Sequence, residues 1–317
     1  MGLVRLFVPF RRCTMTADTP AHTPTAAFRE AYEQAMALWP VPVERLDLPS
    51  EFGSTRVNVC GPADGPPLVL LHGGGTTSAV WYALAATLAR THRVHAVDQM
   101  GGPGLSAHTG RALRRPEDLL DWLDGVFSGL GLASAALLGH SYGGWLALSY
   151  AVHTAGGGSA PGARGRVNRL VLLDPTQCFA GFRPSYLLRA LPLFVRPGER
   201  STRRFLEWET RGAPPAPALV RLMGRGAVEF RAAKVVTGPR PDAARAGAAV
   251  PTLLLLAGDS RTHDPRRVAA RAERTLAGVR IATLAGTTHH SLPYADTDEL
   301  GRQVLGFLPT GLPGGTS

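Results

Sequence analysis

Gly139-His140-Ser141-Tyr142-Gly143 is the segment of this 317-residue chain best suited to carry out a reaction. It has the pattern G-x-S-x-G, follows an apolar run at 135–138 and precedes a helical stretch. A turn that tight between strand and helix strains the serine backbone and leaves no room for neighbouring side chains, hence the flanking glycines. Ser141 is then exposed as a nucleophile, with the positive end of the following helix beside it. Earlier in the chain, His72-Gly73-Gly74-Gly75 follows another apolar run. Glycines let backbone N–H groups approach a developing oxyanion, so Gly74 and Tyr142 are the expected donors. The chemistry implied is acyl transfer through a covalent serine intermediate.

These segments need a scaffold that brings them to one edge. After a helix at 26–38 and strands at 43–48 and 55–59, the chain alternates strand, turn and helix. Short, all-apolar runs at 68–71, 135–138, 170–173 and 253–256 have the character of strands buried on both faces, as in a parallel sheet. Strands at 93–97 and 279–284 complete the series, and Pro116 opens an amphipathic helix. The expected fold is α/β, with a mostly parallel central sheet, helices on both faces and a helical cap inserted after the sixth strand. In the cap, at 176–249, the strand rhythm stops and Pro-rich joints separate helical pieces. The core is expected at 26–175 and 250–310, with disordered tails at 1–25 and 311–317. Residues 153–166, rich in Gly and Ala, are expected to form a mobile loop.

On these motifs the chain resembles the α/β-hydrolase superfamily, in the capped branch that includes carboxylesterases, over about 43–308. Asp98-Gln99-Met100-Gly101-Gly102-Pro103-Gly104-Leu105-Ser106 is similar to that family's D-x-x-G-x-G-x-S turn with one extra residue. Serine at the elbow sets the chain apart from the branches with an aspartate nucleophile. The resemblance implies the chain order serine, acid, histidine. Gly286-Thr287-Thr288-His289 fits the family's G-x-x-H pattern, so His289 is the expected base and His290 the reserve. The acid departs from the pattern, because Arg261 stands where many relatives carry a carboxylate, three residues after Gly258. Asp264 is the first choice, although it precedes Pro265 and could merely cap a helix. Asp174, at the end of the 170–173 run, is second and Asp259 third. Within the cap, Phe179, Phe182, Leu187 and Trp208 are the expected lining of an acyl pocket, with Phe182 and Leu187 as the substrate-binding pair.

Hydrophobic residues make up 44% of the chain and charged ones 18%, enough apolar content for a large core. The formal charge of +10 suggests a polyanionic partner, yet Lys234 is the only lysine and no nucleic-acid-binding motif accompanies the arginines. Residues 183–245 hold thirteen Arg/Lys against five Asp/Glu, read chiefly as a solvated face. The three cysteines lack metal or redox spacing. The apolar stretch within residues 1–15 is too short and interrupted for a signal or a membrane span, and Met15 is an alternative start. The expectation is a cytoplasmic enzyme that cleaves a small-molecule ester or related acyl bond, with no cofactor, metal, nucleic acid or membrane span. The sequence leaves its oligomeric state open. The alternative is a catalytically weakened ligand-binding or regulatory protein on the same scaffold, for which the irregular acid position argues.

Overall fold

The computed structural model describes residues 23–157, 164–231, 236–247, 249–295 and 297–309. The strands are β1 (Glu44–Ser50), β2 (Gly53–Cys60), β3 (Pro67–Leu71), β4 (Arg93–Val97), β5 (Ala107–His108), β6 (Ala135–His140), β7 (Val167–Leu173), β8 (Thr252–Ala257) and β9 (Arg280–Leu284). They form one sheet in the order β1-β2-β4-β3-β6-β7-β8-β9, with β5 on β2. From β4 to β9 along that order every pairing is parallel, and the antiparallel pairings all involve β2.

Side chains alternate across each parallel strand, so its apolar run feeds two cores. Val69, Leu71, Leu137, Leu172 and Leu254 face one layer, built on α3 (Pro116–Gly129), α4 (Tyr142–Ala155) and α9 (Pro265–Thr275). Leu68, Leu70, Leu138, Val171 and Leu253 face the other, built on α1 (Ala26–Met36), α2 (Tyr82–Leu88) and α10 (Thr297–Leu305). Burial on both sides is what made these runs uniformly hydrophobic rather than alternating.

Strand ends are in step. Leu71 pairs with Gly139, His140 with Leu173, and Leu173 with Leu255. The residues that follow β3, β6, β7 and β9 therefore emerge at one carboxyl edge, where open α/β sheets bind ligands. Between β7 and β8 the chain forms α5 (Pro184–Val195), α6 (Glu199–Glu209), α7 (Pro217–Glu229) and α8 (Ala243–Gly247). The first three share a small core of Ala190, Phe205, Leu206 and Val220, and Leu219 and Leu222 of α7 join the α1 side of the main core.

Three expectations need adjustment. The insertion follows the seventh strand, because the two-residue β5 is too short to leave a periodic signal. Helix α4 runs to Ala155, so the 153–166 loop starts later than expected, and 158–163 lie outside the described residues. Of the two expected tails, 1–22 and 311–317 also lie outside them; only 23–25 are described, and there Thr25 caps α1 by accepting the Phe28 N–H.

Candidate active site

Ser141 sits between β6 and α4 with φ 55° and ψ −116°, a conformation that costs a non-glycine residue of order 1–3 kcal/mol. Tight packing holds it there. A Cβ on Gly139 would lie 2.2 Å from the Gly143 carbonyl oxygen, and one on Gly143 would lie 2.3 Å from that of Leu71. The Ser141 carbonyl accepts the N–H groups of Gly144, Trp145 and Thr176, fixing the turn to the start of α4 and to the chain after β7.

His289 lies in the loop after β9 and is 1% exposed. Its Nδ1–H donates to Asp174 Oδ2 at 2.7 Å, which leaves Nε2 bare to accept the Ser141 hydroxyl at 2.8 Å. The structure thus brings together Ser141, His289 and the second-choice acid. Asp174 directly follows β7, is fully buried and has φ 42°. Its Oδ1 also accepts His263 Nε2–H at 2.9 Å and the Ala257 N–H at 3.3 Å, and its Oδ2 accepts the Ser260 hydroxyl at 3.0 Å. Burial alone would push this carboxyl up. Attraction to His263 and hydrogen bonds from both histidines override it and hold Asp174 well below the usual carboxylate range.

Asp264, the first choice for the acid, is corrected. It is the N-cap of α9: its carboxylate accepts the Arg266 N–H at 3.0 Å and its side chain is 39% exposed. A helix cap turns towards its own first-turn amides, and the carboxylate that His289 Nδ1 meets is that of Asp174. Asp259 pairs with Arg211 at 3.1 Å. The loop in which an acid was expected instead supplies His263 and Ser260 as donors to Asp174.

Gly73 and Gly74 line a cavity together with Ser141 and His140. His72 anchors their loop, with Nδ1–H donating to the Gly73 carbonyl and Nε2 accepting the Gln99 N–H. Burial lowers the His72 pKa, which keeps the ring in this neutral, one-donor state. Tyr142 opens α4, so its N–H has no acceptor within the helix. The Asp98 turn is architectural: its carboxylate accepts the N–H groups of Ser78 and Leu105, and the Ser106 hydroxyl donates to the Asp98 carbonyl.

Two further residues support the site: His140 fills a variable position of the elbow motif, which assigns it no role, and Glu209 belongs to no motif. His140 donates from Nε2 to the His289 carbonyl at 2.9 Å and is pushed down to about 3, by burial first and then by His289. Glu209, at the end of α6, is fully buried and accepts the Thr288 hydroxyl at 2.9 Å and the His290 N–H at 3.1 Å, tying the insertion to the His289 loop. Burial raises its pKa. His290, the reserve base, is 3.1 Å from the Tyr186 hydroxyl through Nε2.

The cavity has a volume of about 370 Å³ including its mouth, and Val80, Leu206, Pro215, Leu219, Met223 and Tyr294 form its outer wall. Phe182 and Leu187 do not line it, contrary to expectation. Helix α5 turns Tyr186, Ala190 and Leu193 inward, which leaves Leu187 53% exposed, while Phe182 stacks on Tyr186. Phe179 is in the main core, and Trp208 lies beneath the guanidinium groups of Arg189 and Arg261.

The chain is similar to known proteins over most of its length. Carboxylesterase YbfK of Bacillus subtilis (strain 168) is 28% identical over 293 residues, covering 90% of this chain and 94% of that protein. Its crystal structure superposes with a TM-score of 0.79, covering 90% of this chain and 98% of that one. The crystal structure of naproxen esterase from Bacillus subtilis, 25% identical, superposes with a TM-score of 0.76 over 90% of this chain and 99% of that one. The family model described as the alpha/beta hydrolase family matches residues 68–302. With that match spanning most of its length, the chain belongs to the α/β hydrolase family.

Proposed function

We propose that the protein hydrolyses carboxylic esters of uncharged acyl groups through an acyl-enzyme on Ser141. The observation that carries this is His289, which bridges Ser141 at 2.8 Å and Asp174 at 2.7 Å in a single tautomer. As Ser141 Oγ attacks the ester carbonyl, its proton passes to His289 Nε2, and Asp174 stabilises the imidazolium. The oxyanion is stabilised by the N–H groups of Gly74 and Tyr142, each such donor being worth roughly 10²–10³ in rate. Collapse expels the alcohol, which takes its proton from His289, and water activated by the same histidine releases the acid. The similarity to a carboxylesterase favours an ester over an amide. The outer wall of the cavity carries no charged side chain, which favours a neutral acyl group. The non-catalytic alternative rests on the irregular position of the acid, and the hydrogen bond between Asp174 and His289 argues against it.

A fluorophosphonate probe tests the reading. The wild-type chain should be labelled and should hydrolyse p-nitrophenyl esters, whereas Ser141→Ala should do neither while keeping its circular dichroism and melting temperature. An activity loss on the order of 10⁶ is expected if the three residues act as a unit. Ester hydrolysis retained by pure Ser141→Ala would refute the acyl-enzyme.

A further inference from the structure

Helix α5 has an outer face that no part of the described chain covers. Leu187, Leu188, Leu191, Phe194 and Val195 are 53, 71, 52, 71 and 60% exposed. At 100° per residue these five positions fall within one arc of about 120°, opposite the inward Tyr186, Ala190 and Leu193. Val228 of α7, 55% exposed, lies 4.0 Å from where a Cβ on Gly198, in the α5–α6 joint, would stand. Contiguous apolar surface of this kind marks an interaction site.

We propose that the outer face of α5 docks the protein onto an anionic lipid surface. Charge selects this occupant. Residues 183–204 contain six arginines and one glutamate. Arg183, Arg196, Arg200 and Arg204 are exposed and, among the described residues, none of them is in an ion pair. An apolar strip bordered by cations fits acyl chains below a layer of negative headgroups. A second copy would bring the same positive border against this one. Residues 1–22 are the other contender, because the described chain begins beside α7, where Thr25 is bonded to Glu229. Their Arg5, Arg11 and Arg12 also carry the sign of the patch. With 12 residues, α5 is about 18 Å long, too short to span a bilayer and suited to lie in its plane. Its inner face touches the site through Tyr186 and His290, so docking would place Ser141 close to esters dissolved in the lipid. The surface itself does not depend on the catalytic reading.

Flotation of the full chain with vesicles tests the proposal. The protein should float with equimolar phosphatidylglycerol and phosphatidylcholine, much less with phosphatidylcholine alone, and binding should weaken as salt rises. Leu188→Glu/Phe194→Glu should lower partitioning at least about tenfold. Both positions are 71% exposed, so the fold should tolerate the change, and hydrolysis of a water-soluble short-chain ester should be unaltered. No flotation of the wild-type chain, or equal flotation of the double variant, overturns the proposal. So does loss of binding only on deletion of residues 1–14, which would assign it to that segment. Light scattering that shows a dimer split by Leu188→Glu/Phe194→Glu would assign the face to a second copy and overturn it equally.

Discussion

Asp174 accepts four hydrogen bonds, two of them from histidine rings, and a buried carboxylate held in this way can fix the His289 tautomer without taking up its proton. Asp174→Asn presents an amide to His289 and favours the wrong tautomer, so kcat should fall by about 10⁴ in protein that is still folded. Asp264→Ala removes only a helix cap and should cost about 1 kcal/mol of stability with kcat unchanged. Steady-state kinetics on p-nitrophenyl butyrate, with a melting curve for each variant, separates the two. A crippled Asp264→Ala beside an active Asp174→Asn would return the acid to the α9 loop. The serine was legible because an elbow is a local pattern of glycines, and His289 because its spacing after the last strand is short. The acid was not. Asp174 and Asp264 each precede a proline, one just after β7 and the other at the start of α9, and only the through-space path to His289 distinguishes them. His263 stood in the right loop, but its role as a donor to Asp174 depends on a partner 89 residues away.

The parallel strands were readable as elements because burial on both faces writes itself as runs of Leu and Val. The inserted helices were harder, since the periodicity of α5 shows two faces but not which one packs. Tyr186, Ala190 and Leu193 turn inward and leave the more apolar face outside, so Leu187, one of the residues expected to line an acyl pocket, lies on the exposed face. Helices α6 and α7 instead supply Leu206, Leu219 and Met223 to the cavity wall. Met223 is half-buried, so a larger side chain there can project into the cavity without disrupting the core. Met223→Trp should therefore lower kcat/KM for long-chain p-nitrophenyl esters at least about tenfold relative to the acetate, a discrimination one or two methylenes can produce. Leu187→Trp, on the outer face of α5, should leave the chain-length profile as it was. If both variants shift the profile, or neither does, the cavity beside Ser141 is not the acyl site.

Among the described residues, burial depresses the pKa of five of the nine histidines: His72, His92, His95, His140 and His290. His95, in β4, is pushed down to about 4, by burial first and then by Arg93, and His140 to about 3. An unfolded histidine takes up a proton near pH 6.5, whereas these stay neutral in the fold. As pH drops below about 6.5 the unfolded chain binds more protons than the native one, so stability falls with pH. For His95 this continues to about pH 4, at roughly 1.4 kcal/mol per pH unit. Asp174 acts lower: its depressed carboxyl contributes stability that is complete above the unfolded value near pH 4 and is lost only below it. Acid unfolding should therefore begin with the histidines, while Asp174 is still ionised. Melting curves followed by circular dichroism should show Tm falling steadily from pH 6.5 to 4.5, with little change from pH 7.5 to 6.5. His95→Gln removes one of the protons involved, so whatever its effect on Tm at neutral pH, the loss of stability per pH unit should become shallower by about 1.4 kcal/mol. A flat Tm down to pH 4.5, or an unchanged slope in His95→Gln, would mean that these buried rings already share their protons with the unfolded state.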